Sequence, residues 1–194
     1  MKDQTPIPTH QWQKYHDQYD GNGLKVLNEM YFQSSMDKHP SLRNYPESYF
    51  AYKRSEYKDN NANALTKSII KYLQLRGYQA ERISSSGRVV GSTGTRKSAA
   101  GYSYRVGSVK YIPGTSTNGT ADISAIVEGL SVKIEVKYGK DRQSEAQKQY
   151  EKAVKTAGGL YYIAKDFQSF YIWCNKLIDY MVERNRDLFT GVGL

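Results

Sequence analysis

Two carboxylates and one amine are the groups in this chain whose types and spacing can do chemistry. Asp122 lies in the segment ADISAIV, and Glu135 and Lys137 flank Val136 in SVKIEVKY. Residues two apart on a strand point to the same side, so Glu135 and Lys137 share a face. Glu128-Gly129, between the two segments, is a tight-turn pair. With those two as the turn, Val127 opposes Leu130, and Asp122 opposes Glu135. Any even-length loop keeps Asp122 on the face of Glu135 and Lys137. Such a cluster is costly to bury without a purpose, because like charges repel unless a cation sits between them. A hard divalent ion, Mg²⁺ or Mn²⁺, takes oxygen ligands and keeps waters for substrate and nucleophile. It polarises a phosphodiester and lowers the pKa of a bound water. Lys137 is suited to orient that water and offset developing charge. The plain alternative is a solvent-facing strand with alternating Lys133, Glu135 and Lys137, and Asp122 at an edge.

The elements around this trio must hold it. Residues 62–76 carry a 3.6-residue stripe of Leu65, Ile69, Ile70 and Leu73, which predicts a helix with Asn61 or Asn63 as N-cap and Gly77 closing it. A short strand, YQAERI, follows. Residues 84–120 are rich in Gly, Ser and Thr and read as a long loop with one short hairpin around Tyr102 to Ile112. After the two site strands, residues 141–157 predict a helix, with Asp141 as N-cap or first-turn acid and Ser144 and Gln147 facing the site. LYYIA is a further strand, and residues 167–189 a closing helix. Residues 1–60 are polar and Tyr-rich, with prolines at 6, 8, 40 and 46, and predict an extended arm with one short helix over 24–36. The expected fold class is α/β: a mixed β-sheet flanked by helices, preceded by that N-terminal arm. The division is an extension over 1–60 and a folded domain over 61–194.

Bulk properties narrow the function classes. The 194 residues suffice for a real core, and the net charge is +9 with a pI near 9.4. A surplus of cations favours a polyanionic partner through counterion release. A single cysteine, Cys174, beside Trp173 in an apolar stretch, reads as core and fits a reducing compartment. One Cys and three scattered His disfavour a zinc site. No membrane span or signal-peptide apolar run is evident, so the expected location is cytoplasmic.

The run GTADI, then KIEVK, then DRQSEAQ, then AGGLYYIA resembles the VRR-NUC branch of the PD-(D/E)XK nucleases, relatives of Holliday-junction resolvases and restriction endonucleases. The resemblance covers about residues 62–170, with its core from Gly119 to Ala164. It implies a restriction-endonuclease-like core. It also implies that Asp122, Glu135 and the Val136 carbonyl hold Mg²⁺ or Mn²⁺, that Lys137 is catalytic, and that Gln147 supports the site. Tyr150 and a serine near Ser86 are accessory positions in that reading. Members often carry a Glu on the first helix. Asn63 or Thr66 stands at that place here, with Glu56 and Asp59 just upstream as substitutes. Stand-alone members are often homodimers, which suits branched DNA.

Arg88, Arg96, Lys97, Arg105 and Lys110, interleaved with Tyr102, Tyr104 and Tyr111, are candidates to grip phosphates and stack on a base. Lys140 and Arg142 are candidates for backbone contacts. The leading expectation is a metal-dependent nuclease acting on DNA, structure-specific and serving phage or mobile-element replication, repair or recombination. The alternatives are a nuclease-fold DNA-binding protein with little or no catalysis, and a restriction-type endonuclease.

Overall fold

A computed structural model describes residues 9–46, 50, 56–83, 88–112 and 117–190. In chain order the elements are α1 (Thr9–Gln18), α2 (Gly23–Lys38), a 3₁₀ turn (Pro40–Asn44), α3 (Ala62–Leu75), β1 (Gln79–Arg82), β2 (Arg88–Lys97), β3 (Ser103–Ile112), β4 (Ile123–Val127), β5 (Leu130–Val136), α4 (Glu145–Thr156), β6 (Leu160–Ala164) and α5 (Phe167–Thr190).

The central sheet has the order β1-β4-β5-β6. β1, β4 and β5 are antiparallel neighbours, and β6 joins β5 in parallel after the α4 crossover. The sheet is therefore mixed and flanked by helices, as its sequence order requires. Its two faces differ completely. Ala80, Ile123, Ala125, Val127, Val132, Ile134, Val136 and Ala164 alternate onto one face and are buried. There they meet Leu65, Ile69, Tyr72 and Leu73 of α3 and Phe167, Phe170, Tyr171 and Cys174 of α5 in one apolar cluster. Burial pushes the Cys174 thiol up to about 12, so this cysteine is a core residue. The opposite face carries Asp122, Ser124, Lys133, Glu135 and Lys137. Among the described elements α4 lies against it, and none of that helix's residues is buried.

α2 covers the short helix expected over 24–36, but the rest of residues 9–44 is not the extended arm the sequence predicts. Val26, Leu27 and Met30 of α2 have no exposed surface and belong to the same cluster as Leu65 and Phe170. Trp12 of α1 joins them, with the Arg76 guanidinium 4.1 Å above its ring. Polar pairing completes the docking. The buried Asn28 amide accepts from Tyr57 N at 2.8 Å and donates to Tyr57 O at 3.0 Å. His16 meets the Tyr171 hydroxyl at 2.6 Å. Gly23 has no Cβ because one would lie 2.8 Å from Tyr171 Cβ. Tyr15, Tyr19 and Tyr31, which read as part of an arm, thus belong to a layer of helices packed against the core of α3 and α5.

The loop expected over 84–120 is largely a second sheet. β2 and β3 pair over ten residues each, from Arg88 opposite Ile112 to Lys97 opposite Ser103. The hairpin anticipated from Tyr102 is therefore only its second half. No helix among the described residues is long and apolar enough to cross a membrane.

Candidate active site

The β4–β5 hairpin brings the trio together. Glu128 and Gly129 both take positive φ, 49° and 78°, the requirement of a type I′ two-residue turn. The Tyr78 hydroxyl holds the Glu128 carboxylate at 2.5 Å. The turn sets Val127 opposite Leu130 and Ile123 opposite Ile134. One step further on, Asp122 meets the end of β5, where its Oδ2 accepts from Val136 N at 2.9 Å. The Asp122 carbonyl in turn accepts from Ile83 N at 2.8 Å, closing the β1 side. Asp122 is thus fixed from both neighbouring strands.

Glu135 is 1 % exposed and Lys137 7 %. Lys137 Nζ lies 3.0 Å from Glu135 Oε1 and 3.4 Å from Asp141 Oδ2. Glu135 Oε1 also accepts from Gln147 Nε2 at 2.5 Å. Glu135 Oε2 is buried and has no hydrogen-bond partner among the described residues. Burial raises the Glu135 carboxyl above its usual range, and the Asp122 charge adds to this, against the lowering effect of the Lys137 hydrogen bond. Burial alone depresses Lys137, but the hydrogen bonds and charges of Glu135 and Asp141 outweigh it and hold the ammonium above its ordinary value.

Gln147 has two attachments. Its Oε1 accepts from Ser144 N at 2.9 Å, and the Ser144 hydroxyl accepts from Gln147 N at 3.3 Å, a capping box at the start of α4. The same side chain then donates to Glu135. The helix begins at Glu145 and not at Asp141, because this reciprocal cap satisfies two orphan amides where Asp141 would satisfy one. Asp141 instead sits in the connection, accepts from Arg142 N at 2.9 Å and pairs with Lys137. Gly119, at φ +81°, lets the strand entering Asp122 pass against α4. A Cβ there would lie 2.3 Å from the Ala146 carbonyl oxygen. The close approach that Gly119 permits is therefore to the helix backbone.

The candidates on the first helix fall elsewhere. Asn61, not Asn63, is the N-cap, accepting from Ala64 N at 2.9 Å. Asn63 Oδ1 is taken by Arg82 at 3.1 Å, and the Thr66 hydroxyl donates to the Ala62 carbonyl at 2.8 Å. Asp59 accepts from Phe167 N at the head of α5, at 3.1 Å. Glu56 lines a cleft of about 590 Å³ along α3, whose walls include none of the trio. Among the described residues neither Glu56 nor Asp59 is bonded to the trio. Tyr150 packs its ring 6.3 Å from Tyr161.

Sequence reasoning missed Tyr161. Its hydroxyl is buried and makes no hydrogen bond of good geometry among the described residues, and the nearby Gln143, whose amide donates to Glu151 at 2.8 Å, exerts only a lowering influence on the phenol. Burial raises this phenol, and the Glu135 charge reinforces the effect. Alternation in LYYIA, in register with Lys133, carried the signal.

Lys140 and Arg142 flank Asp141 in the connection before α4. Arg96, Lys97, Arg105 and Lys110 are exposed on the β2–β3 pair. Arg88 begins β2, but its side chain, like Ser86, lies outside the described residues.

Among the described residues no three His, Cys, Asp or Glu side chains group as a metal site. The donor set is two carboxylates at adjoining strand ends, one of them with a buried, unpartnered oxygen. Two carboxylates and a strand-end carbonyl suit a hard ion that retains waters, and lack the nitrogen and sulfur donors of structural zinc.

Compared with models of protein families, with curated proteins and with solved structures, the chain finds no match.

Proposed function

We propose that this chain is a metal-dependent nuclease hydrolysing DNA phosphodiesters, with Asp122, Glu135, Lys137 and Gln147 as its machinery. The observation that carries the reading is the buried, unpaired Glu135 Oε2 beside Asp122, with Lys137 and Gln147 both engaged on the other oxygen. A carboxylate desolvated to this degree and left half-satisfied is destabilising in itself, so it marks a place for a cation. The mixed sheet, with the acids at adjoining ends of β4 and β5, supports a restriction-endonuclease-like core.

Asp122, Glu135 and the Val136 carbonyl would hold Mg²⁺ or Mn²⁺. When bound there, the ion supplies phosphodiester polarisation and a water of lowered pKa. Lys137, kept cationic by Glu135 and Asp141, orients the attacking water and offsets charge developing on the phosphate. Gln147 fixes the Glu135 rotamer through Oε1 and leaves Oε2 free. Branched DNA is the proposed substrate shape.

A second reading, a nuclease-fold DNA-binding protein without catalysis, is favoured by one observation. Asn63 stands where the family's helix acid would be, and it is tied to Arg82. One experiment separates the two. Labelled duplex, flap and four-way-junction DNA is incubated with Mg²⁺, Mn²⁺ or EDTA, for wild type and Lys137→Ala. The expected result is metal-dependent cleavage, greatest on branched DNA, falling about a thousandfold in the variant. Binding without cleavage under either metal would establish the second reading.

A further inference from the structure

The β2–β3 ribbon takes no part in the core or the trio. Its two strands contact each other and make no extensive contact with any other element. An isolated two-stranded ribbon is marginal in water, so a ligand that orders it is the natural reason for its length. Residues 88–112 contain five cations, Arg88, Arg96, Lys97, Arg105 and Lys110, and no carboxylate. The four cations whose side chains are described are exposed, and none is in an ion pair or side-chain hydrogen bond among the described residues. Tyr102, Tyr104 and Tyr111 are also exposed, Tyr102 by 76 %.

The ribbon is thin in its middle. There Gly91 opposes Val109, Ser92 opposes Ser108 and Thr93 opposes Gly107. Gly91 and Gly107 take φ +102° and +89°, and a Cβ on either would lie 2.3 Å or 2.2 Å from the carbonyl oxygen of Ser108 or Ser92. Only glycine permits this crossing, and it leaves a section with little side-chain bulk where backbone can approach a ligand. Cations cluster at the tip, where Arg96 opposes Tyr104 and Arg105 opposes Thr95. The tip turn is closed by Ser98, whose N–H donates to the Tyr102 carbonyl and whose hydroxyl accepts from Tyr102 N. Along the chain the ribbon is spliced between β1 and β4, the strand ends joined by the Ile83–Asp122 hydrogen bond. It therefore springs from the end of the sheet that carries the trio.

From this we infer that the ribbon is a groove-binding arm for B-form duplex DNA, which inserts its thin middle and sets Arg96, Lys97, Arg105 and Lys110 on the flanking phosphates. The major groove of B-DNA, about 12 Å wide, admits a two-stranded ribbon, whereas the deep, narrow major groove of an A-form RNA duplex does not. The inference rests on the nuclease reading for its substrate but not for its test.

Binding is measured in EDTA, by anisotropy over a KCl series, so that no cleavage is required. Wild type and a variant with Arg96, Lys97, Arg105 and Lys110 all changed to Ser are compared on duplex DNA and on duplex RNA of the same sequence. Thermal unfolding of the variant checks that the core is intact. The ribbon variant is expected to bind duplex DNA more than tenfold more weakly. The slope of log K against log [KCl] should become shallower by about 0.9 for each phosphate that the removed cations had neutralised. Unchanged affinity and slope in a folded ribbon variant would overturn the inference. Equal, ribbon-dependent binding of duplex RNA would overturn its groove assignment. Ribbon-dependent DNA binding by a wild type that cleaves nothing with Mg²⁺ or Mn²⁺ leaves the arm standing and removes the nuclease.

Discussion

The two faces of β5 divide the molecule's labour. Ile134 and Val136 point into a sealed layer of α2, α3 and α5, while Glu135 and Lys137, their chain neighbours, point to the face against which α4 and its entry segment lie. On the first face every side chain is apolar and closely packed. On the second, buried charges are held by a few hydrogen bonds, and one carboxylate oxygen has none among the described residues. The period of two along a strand lets a single segment carry stability and chemistry without mixing them. It also means that substitutions one residue apart should fail in different ways.

The sharpest test is Ile134→Ala, since Ile134 has no exposed surface. Removing buried methylenes from a site that several elements enclose should lower stability by about 2–5 kcal/mol. For a chain of this size that is a fall in Tm of roughly 5–15 °C. Cleavage per folded molecule, measured well below that Tm, should stay within a fewfold of wild type. A large loss of cleavage with unchanged Tm would break the division between the faces.

What can be read in the sequence follows the same division. The hairpin and its trio are legible because Glu128-Gly129 fixes a two-residue turn, and a fixed turn fixes register. α3 is legible from its stripe and its Asn cap. The layer formed by α1 and α2 is not. Its docking depends on residues whose types do not announce burial: Asn28 and Glu29 are both buried in α2, and α1 is anchored by Trp12, His16 and the distant Arg76 and Tyr171. Pairings so distant along the chain leave no local period. Only half of the β2–β3 ribbon is legible, because β3 carries Tyr104, Val106, Val109, Tyr111 and Ile112, whereas five of the ten residues of β2 are Gly, Ser or Thr, and Gly and Ser are more at home in turns. The start of α4 is ambiguous because Asp141 and Ser144 are both good caps. Only the partner at Gln147 decides between them.

A smaller effect sharpens the boundary between capping and chemistry. Ser144 and Gln147 share one capping box, but only Gln147 reaches Glu135. Ser144→Ala should cost about 1 kcal/mol of stability and leave cleavage nearly unchanged. Gln147→Ala should cost a similar amount and also lower cleavage about 10–100-fold, because Glu135 loses the donor that sets its rotamer. Rates and unfolding curves for the two variants, taken side by side, check this. Equal loss of cleavage in both would assign Gln147 to the helix alone.

The smallest expected effect has the opposite sign. Glu135 carries a raised carboxyl because its burial, with Asp122 nearby, outweighs the help from Lys137. A carboxyl whose folded value lies above its unfolded value favours the folded state fully at pH below the unfolded value. That contribution is lost as pH rises through the raised folded value. In EDTA at neutral pH the ionised Glu135 therefore opposes folding. Glu135→Gln keeps the shape, an acceptor for Gln147 and Lys137, and the pairing of Lys137 with Asp141, and it removes the charge. Its Tm should exceed that of wild type at neutral pH, while cleavage is abolished. The gap should close as pH falls below the ordinary carboxylate range, where Glu135 is protonated in both folded and unfolded chains. Unfolding curves of both proteins across that pH range read the sign directly. A variant less stable than wild type at neutral pH would mean that the Lys137–Glu135 pair holds the site together, and the unpaired oxygen would then no longer mark a place for a cation.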